Sequence, residues 1–200
     1  MEEIVMQIQT EKRYYTPEEY LTLEETAEYK SEYRDGEIVP MTGGTTNHNI
    51  LAGNFYKRFP LRIQGQSYKT FIADVRLWIP LYRHYVYPDV MVVHGKPVYQ
   101  GTGTTTITNP LLIVEVLSKL TKNYDKGEKF DGYRSIPEFR EYILIDQSKY
   151  HVEQYAKTSE TQWLFTEYDS ENAVLNLACV ERQFPLKELY EEVDFSEGEK

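Results

Sequence analysis

Glu115 stands inside Leu111-Leu112-Ile113-Val114-Glu115-Val116-Leu117, a run that is otherwise apolar and of strand length. A strand buried on both faces reads as such a run. A carboxylate placed there must pair with a cation, bind a metal or take up a proton. Asp89 is a second acid out of place. It follows Pro88 directly and opens the apolar stretch Val90-Met91-Val92-Val93. Two acids at the ends of two core strands, once adjacent, make a site for a hard cation. Mg²⁺ and Mn²⁺ take oxygen ligands, commonly one or two carboxylates plus waters. Each acid also has a plainer reading: Asp89 as a turn cap at strand entry, Glu115 as the salt-bridge partner of an arginine.

A phosphate-hydrolysing site also wants a cation from the protein. The strand neighbour sharing the face of Glu115 lies two residues on, and that residue is Leu117. The strand therefore supplies no lysine. Lys122, Lys126, Lys129 and Tyr133 are spaced i, i+4, i+7 and i+11, which is one helical face. Asp125 and Lys129 are i, i+4 neighbours. A helix leaving the Glu115 strand can return Lys129 towards the two acids. There it would orient a water or offset charge on a phosphate. The competing reading is a solvated basic face. His84, His94 and His151 show no helical or strand spacing that makes a zinc set, and they are assigned nothing.

The elements that must position these residues follow from patterning. Thr16-Pro17-Glu18-Glu19 has a capping residue, a proline for the first turn and a capping-box glutamate, so a short helix should run to about residue 28. Asp35-Gly36 between two short extended runs predicts a hairpin. Asn47 is placed to cap a second helix bearing Ile50, Leu51, Phe55 and Phe59, with His48 at its start. Residues 68–79 and 85–93 are β-rich, 102–109 reads as a loop, and 121–135 as the best amphipathic helix. Residues 142–145 form another buried strand. Residues 151–155, 163–168 and 173–180 read as a strand meander, and 185–190 as a terminal helix. The result is one α/β domain over 15–190, after a loosely ordered segment 1–14 and before an acidic tail 191–200.

Length and charge bound the function. Two hundred residues make about one domain. The net charge of −10 argues against a protein that coats nucleic acid by charge alone. It is unevenly spread, however. Residues 1–37 carry a net −7 and 181–200 a net −4, whereas 48–134 hold 12 basic and 6 acidic side chains, a net +6. That basic tract contains Asp89, Glu115 and the candidate lysines. The one cysteine, Cys179, reads as a core thiol and can form neither an internal disulfide nor a multi-thiolate zinc site. The 18 tyrosines should mostly be half-buried strand residues. No run approaches the ~20 apolar residues of a membrane span and no signal peptide is evident, so no membrane partner is expected and a reducing cytoplasm is the expected setting.

Pro88-Asp89, Glu115-Val116-Leu117-Ser118, Asp125 to Lys129, Tyr133 and Glu141-Tyr142-Ile143-Leu144-Ile145-Asp146 together resemble a known family. It is the "putative restriction endonuclease" family of bacterial proteins, which have a PD-(D/E)XK nuclease core. The earlier stretch Glu32-Tyr33-Arg34-Asp35-Gly36-Glu37, followed by a helix starting at His48, also matches. The resemblance covers about residues 15–190, and its specificity lies in the ordered set rather than in any one motif.

The resemblance implies a restriction endonuclease-like mixed β-sheet core flanked by helices, here with an N-terminal helix-hairpin and a C-terminal strand meander. Asp89 would match the PD aspartate and Glu115 the (D/E) position, both binding Mg²⁺ or Mn²⁺. The chain departs from the pattern at Leu117, where the motif lysine would stand. The displaced lysine fits Lys129, with Lys126 and Lys122 as alternatives. His48, Asp74 and Asp125 fall where further site-lining residues are expected. The implied activity is metal-dependent hydrolysis of nucleic-acid phosphodiester bonds, with DNA the first expectation and a homodimer suggested by fold analogy. Against it stand a non-catalytic nuclease-fold protein that binds nucleic acid or a protein partner, and a metal-dependent hydrolase of small phosphates.

Overall fold

The computed structural model describes residues 13–119 and 121–196. Most of the expected N-terminal segment and the last residues of the acidic tail lie outside them. Helix α1 (Pro17–Glu24) opens with the expected capping box. The Glu19 N–H donates to Thr16 Oγ1 at 3.1 Å, and the Glu19 carboxylate accepts from the Thr16 N–H at 2.8 Å. The helix stops at Glu24, short of residue 28. The Glu24 carboxylate accepts from the Ser31 N–H and from the Tyr87 hydroxyl.

Strands β1 (Ser31–Arg34) and β2 (Glu37–Pro40) form an antiparallel hairpin closed by Asp35 and Gly36. Their φ values, 40° and 105°, are both positive, as the two-residue type I′ turn requires. Helix α2 (Thr46–Arg58) is capped by Thr45, not by Asn47. Asn47 instead holds the chain end: its amide donates to the Asp194 carbonyl at 2.7 Å and its Oδ1 accepts from the Asp194 N–H at 3.1 Å. The start of the acidic tail is therefore docked on the domain, with Phe195 against Tyr150 and Tyr190.

The remaining strands are β3 (Arg62–Ile63), β4 (Gln66–Ile72), β5 (Arg76–Ile79), β6 (His84–Val86), β7 (Val90–His94), β8 (Thr106–Ile107), β9 (Leu112–Leu117), β10 (Glu141–Asp146), β11 (Val152–Lys157), β12 (Trp163–Tyr168), β13 (Val174–Asn176) and β14 (Gln183–Pro185). The main sheet has seven strands in the order β12-β11-β10-β9-β7-β4-β3. A second, five-stranded sheet runs β2-β1-β6-β5-β8. Each β-rich tract read from the sequence is thus two strands in two sheets. β4 and β7 belong to the main sheet, β5 and β6 to the smaller one. The chain crosses between the sheets at Tyr87-Pro88-Asp89, where proline removes a ladder donor. β13 leaves the expected meander to pair with β14.

Strands β9 and β10 are parallel neighbours, so a crossover must join them. Helix α3 (Lys122–Tyr124), a π-helical turn (Asp125–Lys129) and α4 (Phe130–Arg134) supply it. The helix expected over 121–135 is thus present, widened to a π turn at Asp125–Lys129. A last helix, α5 (Leu186–Leu189), closes the chain.

The main sheet separates two cores. Leu51 and Phe55 of α2, with Phe59 just past its end, pack with Val90, Val114, Val116, Ile143 and Leu186 on one face. Phe130, Tyr133, Ile113, Leu117, Tyr142 and Leu144 pack with Leu77 and Val86 of the smaller sheet on the other. Four tyrosines, Tyr20, Tyr33, Tyr133 and Tyr142, are fully enclosed, whereas Tyr15, Tyr68, Tyr150, Tyr155 and Tyr168 are half-buried. Among the described residues, no helix is long and apolar enough to cross a membrane.

Candidate active site

Strand register brings the two acids together. Val90 of β7 pairs with Val114 of β9, so the next step places Asp89 across from Glu115 on the same face. That face carries the crossover helix. The acids are interlocked through the backbone. The Asp89 N–H donates to Glu115 Oε2 at 3.3 Å, and the Val116 N–H donates to Asp89 Oδ2 at 2.7 Å.

The crossover returns a lysine to this pair. Lys129 Nζ lies 2.8 Å from Glu115 Oε1, 3.4 Å from Asp125 Oδ1 and 3.6 Å from Glu32 Oε1. The single helical face read from the sequence is real, but each basic residue meets a different acid. Lys122 approaches Asp146 at 4.0 Å and Lys126 pairs with Glu153. Of the three candidates, Lys129 is the one beside Glu115. It lies at the end of the π turn, where the wider coil resets the facing of the following residues; such turns recur at functional sites. One turn on, the buried Tyr133 hydroxyl donates to Glu115 Oε1 at 2.7 Å.

Burial sets the electrostatics. Glu115 is 3% exposed. Desolvation, reinforced by the charges of Asp89 and Asp125 and opposed by Lys129, pushes its carboxyl up to about 8. Burial also acts to lower Lys129, but Glu115, Glu32 and Asp125 override it and hold the ammonium well above its ordinary range. Lys129 is thus a fixed cation and no proton acceptor near neutral pH. Burial would lower the His48 imidazole as well. Its Nε2 lies 2.9 Å from Asp89 Oδ1, and that hydrogen bond and charge raise it instead.

Four of the sequence-derived residues, Asp89, Glu115, Asp125 and Lys129, converge, with His48 attached through Asp89. Asp74 does not join them. Its carboxylate is exposed and paired with Lys30. Spacing gave no role to Glu32, yet it is 5% exposed and belongs to the cluster. Arg34 grips its Oε2 through Nε at 3.3 Å and Nη2 at 2.7 Å, and stacks 3.5 Å over the Tyr124 ring. Burial would raise Glu32, but Lys129 and Arg34 hold it below the usual carboxylate range. The available signal was alternation. Glu32 and Arg34 share one face of β1, an acid-base pair on a short strand beside a buried tyrosine.

The donor set suits a hard divalent cation. Asp89 and Glu115 offer oxygen only. Around them the acids Asp89, Asp125 and Glu32 face the cations Lys129 and Arg34, and Glu115, whose carboxyl is raised to about 8, adds a fourth negative charge when it gives up its proton.

A family model described as "Uma2: Putative restriction endonuclease" matches residues 17–187, from α1 into α5 and across every residue of this cluster. The chain belongs to the Uma2 family. Among its relatives is the uncharacterized protein sll1609 of Synechocystis, 45% identical over 82% of this chain and 92% of its own length. The uncharacterized protein slr1290 of the same organism is 32% identical over 90% of this chain and 93% of its own. A crystal structure described as a putative nuclease belonging to DUF820, from Anabaena variabilis, superposes with a TM-score of 0.69. It covers 88% of this chain and 97% of that one, at 18% identity, and so shows a shared fold. The Uma2 domain here is accordingly a restriction endonuclease-like mixed α/β fold.

Proposed function

We propose that this Uma2 protein is a divalent-metal-dependent endonuclease that hydrolyses phosphodiester bonds in nucleic acid, with DNA as the first substrate to test. The observation that carries the reading is the meeting of Lys129 Nζ with Glu115 Oε1 at 2.8 Å, beside the interlocked Asp89. That meeting supports an acid-acid-lysine site of the PD-(D/E)XK kind, with the lysine drawn from the crossover rather than from the strand.

Asp89 and Glu115 would hold Mg²⁺ or Mn²⁺, which supplies an acidified water and polarises a phosphoryl oxygen. Lys129, charged at neutral pH, would orient the attacking water and offset the charge that builds on the pentacoordinate phosphorus. Asp125 and Glu32 pair with the same ammonium and help hold it. His48 holds the Asp89 carboxylate, and Tyr133 holds that of Glu115. The net charge of −10 makes backbone binding weak and salt-sensitive rather than tight.

The test is nicking of supercoiled plasmid in Mg²⁺ or Mn²⁺, lost in Asp89→Asn and Glu115→Gln. Protein that neither cleaves nor binds Mn²⁺ in calorimetry would refute the catalytic reading. One observation favours a non-catalytic nuclease fold instead: Lys129 already pairs with Glu115, Asp125 and Glu32. DNA binding that survives Glu115→Gln, without cleavage by the wild type, would select that reading.

A further inference from the structure

A second cluster of ligating side chains lies on the same face of the main sheet, at its outer edge. Glu115 pairs across with Leu144, Leu144 with Glu153, and Glu153 with Glu167. These residues form one row over β9, β10, β11 and β12. Glu153 stands two strand spacings from Glu115, roughly 10 Å at ~4.8 Å per strand. Paired catalytic metals sit only about 3.5–4 Å apart, so the edge cluster is separate from the Asp89-Glu115 site.

The third member is His151. It precedes Glu153 by two residues and so shares its face. His151 Nε2 lies 3.2 Å from Glu153 Oε1 and 3.9 Å from Glu167 Oε1. One ligating atom from each of the three residues falls within 4.8 Å of the others. Two ligands each about 2.1 Å from a tetrahedral ion are roughly 3.4 Å apart, so the 3.2 Å pair already fits and the 3.9 Å pair must close slightly. The three differ in burial as a built site would: Glu153 is enclosed, His151 partly so, and Glu167 opens to solvent.

Placing Glu153 and Glu167 directly across from one another is unfavourable without a countercharge. Lys126 provides one by pairing with Glu153. Its side chain is 30% exposed, so it can swing out to solvent when another cation arrives. The imidazole matters for selectivity. A nitrogen with two carboxylates suits Zn²⁺ or Mn²⁺, whereas Mg²⁺ prefers oxygen alone.

We infer that His151, Glu153 and Glu167 form a second cation site, specific for a transition metal. It would clamp edge strand β12 to β11 and leave one coordination position open to water.

The test uses the full chain carrying Asp89→Asn and Glu115→Gln, which removes the other acids' claim on metal. Zn²⁺ titrated by calorimetry should bind at one site, not displaced by millimolar Mg²⁺, and should raise the melting temperature. His151→Ala and Glu167→Gln should each weaken binding at least tenfold. Glu167 is exposed, so its variant also guards against loss through misfolding. Lys126→Met removes the competing ammonium and should tighten Zn²⁺ binding. The inference is overturned if the double variant takes up no Zn²⁺, or if His151→Ala and Glu167→Gln leave the affinity unchanged.

Discussion

Asp89 and Glu115 are fastened to each other's strands: the Asp89 N–H donates to Glu115 Oε2 and the Val116 N–H to Asp89 Oδ2. Neither carboxylate can move without disturbing the other, so the pair is pre-set before any ligand arrives. Asp89→Asn and Glu115→Gln keep the shape and one acceptor oxygen each but remove the charge. Each is expected to lower cleavage about 100-fold or more, since even groups outside the coordination sphere are worth 10–100-fold at metal sites. Far-UV circular dichroism should be unchanged. Plasmid nicking at fixed Mn²⁺ checks the loss.

Glu115 gives the site a pH signature. Its carboxyl, ordinarily near 4.5, is raised to about 8 in the folded chain, chiefly by burial. The folded state therefore keeps a proton that the unfolded state releases across this window. Its contribution to stability is full below about 4.5 and is lost as pH rises through about 8. Without divalent metal, the melting temperature should fall across that range more steeply in the wild type than in Glu115→Gln. Mn²⁺ binding should release a proton and strengthen towards pH 8, because the ligand must be deprotonated. Calorimetry in buffers of different ionisation enthalpy reads that proton directly.

The sequence made the acids legible because each violates its surroundings: an acid in an apolar strand, and an acid straight after a proline. It made the lysine face legible because helical spacing is local. It favoured Lys129 but left Lys126 and Lys122 open, since each meets an acid on a different strand and only sheet order decides which. Glu32 was hidden because a separate sheet delivers it. His151 was hidden because Glu167 reaches it by strand pairing, not by sequence spacing. Sheet switching at Pro88-Asp89 was likewise invisible, for both halves of that tract are β-rich.

Lys129 and Lys126 share a helix, and only Lys129 is placed to act on Glu115. Lys129→Met removes the cation from among three acids. Breaking a buried pair costs about 3–5 kcal/mol. The loss should be near that figure at pH 8 and smaller at pH 6, where Glu115 carries its proton. Cleavage should fall at both pH values while Mn²⁺ still binds. Lys126→Met should leave cleavage within a few-fold of wild type. Urea unfolding of both variants at the two pH values, alongside nicking rates, separates the roles.

Tyr133 is wholly enclosed, and its hydroxyl donates to the Glu115 oxygen that also meets Lys129. Tyr133→Phe keeps the ring packed against Phe139 and Tyr142 and deletes that donor alone. A hydrogen bond to a charged group is worth about 1.5–3 kcal/mol, and its loss is felt most when Glu115 is ionised. Stability should therefore drop more at pH 8.5 than at pH 6. The Glu115 carboxyl should hold its proton to still higher pH, so the alkaline rise in Mn²⁺ affinity shifts upward relative to wild type. A melting series and a Mn²⁺ titration series across pH 6–9 would show both shifts. An unchanged pH profile would mean that the Tyr133 hydroxyl does not tune Glu115.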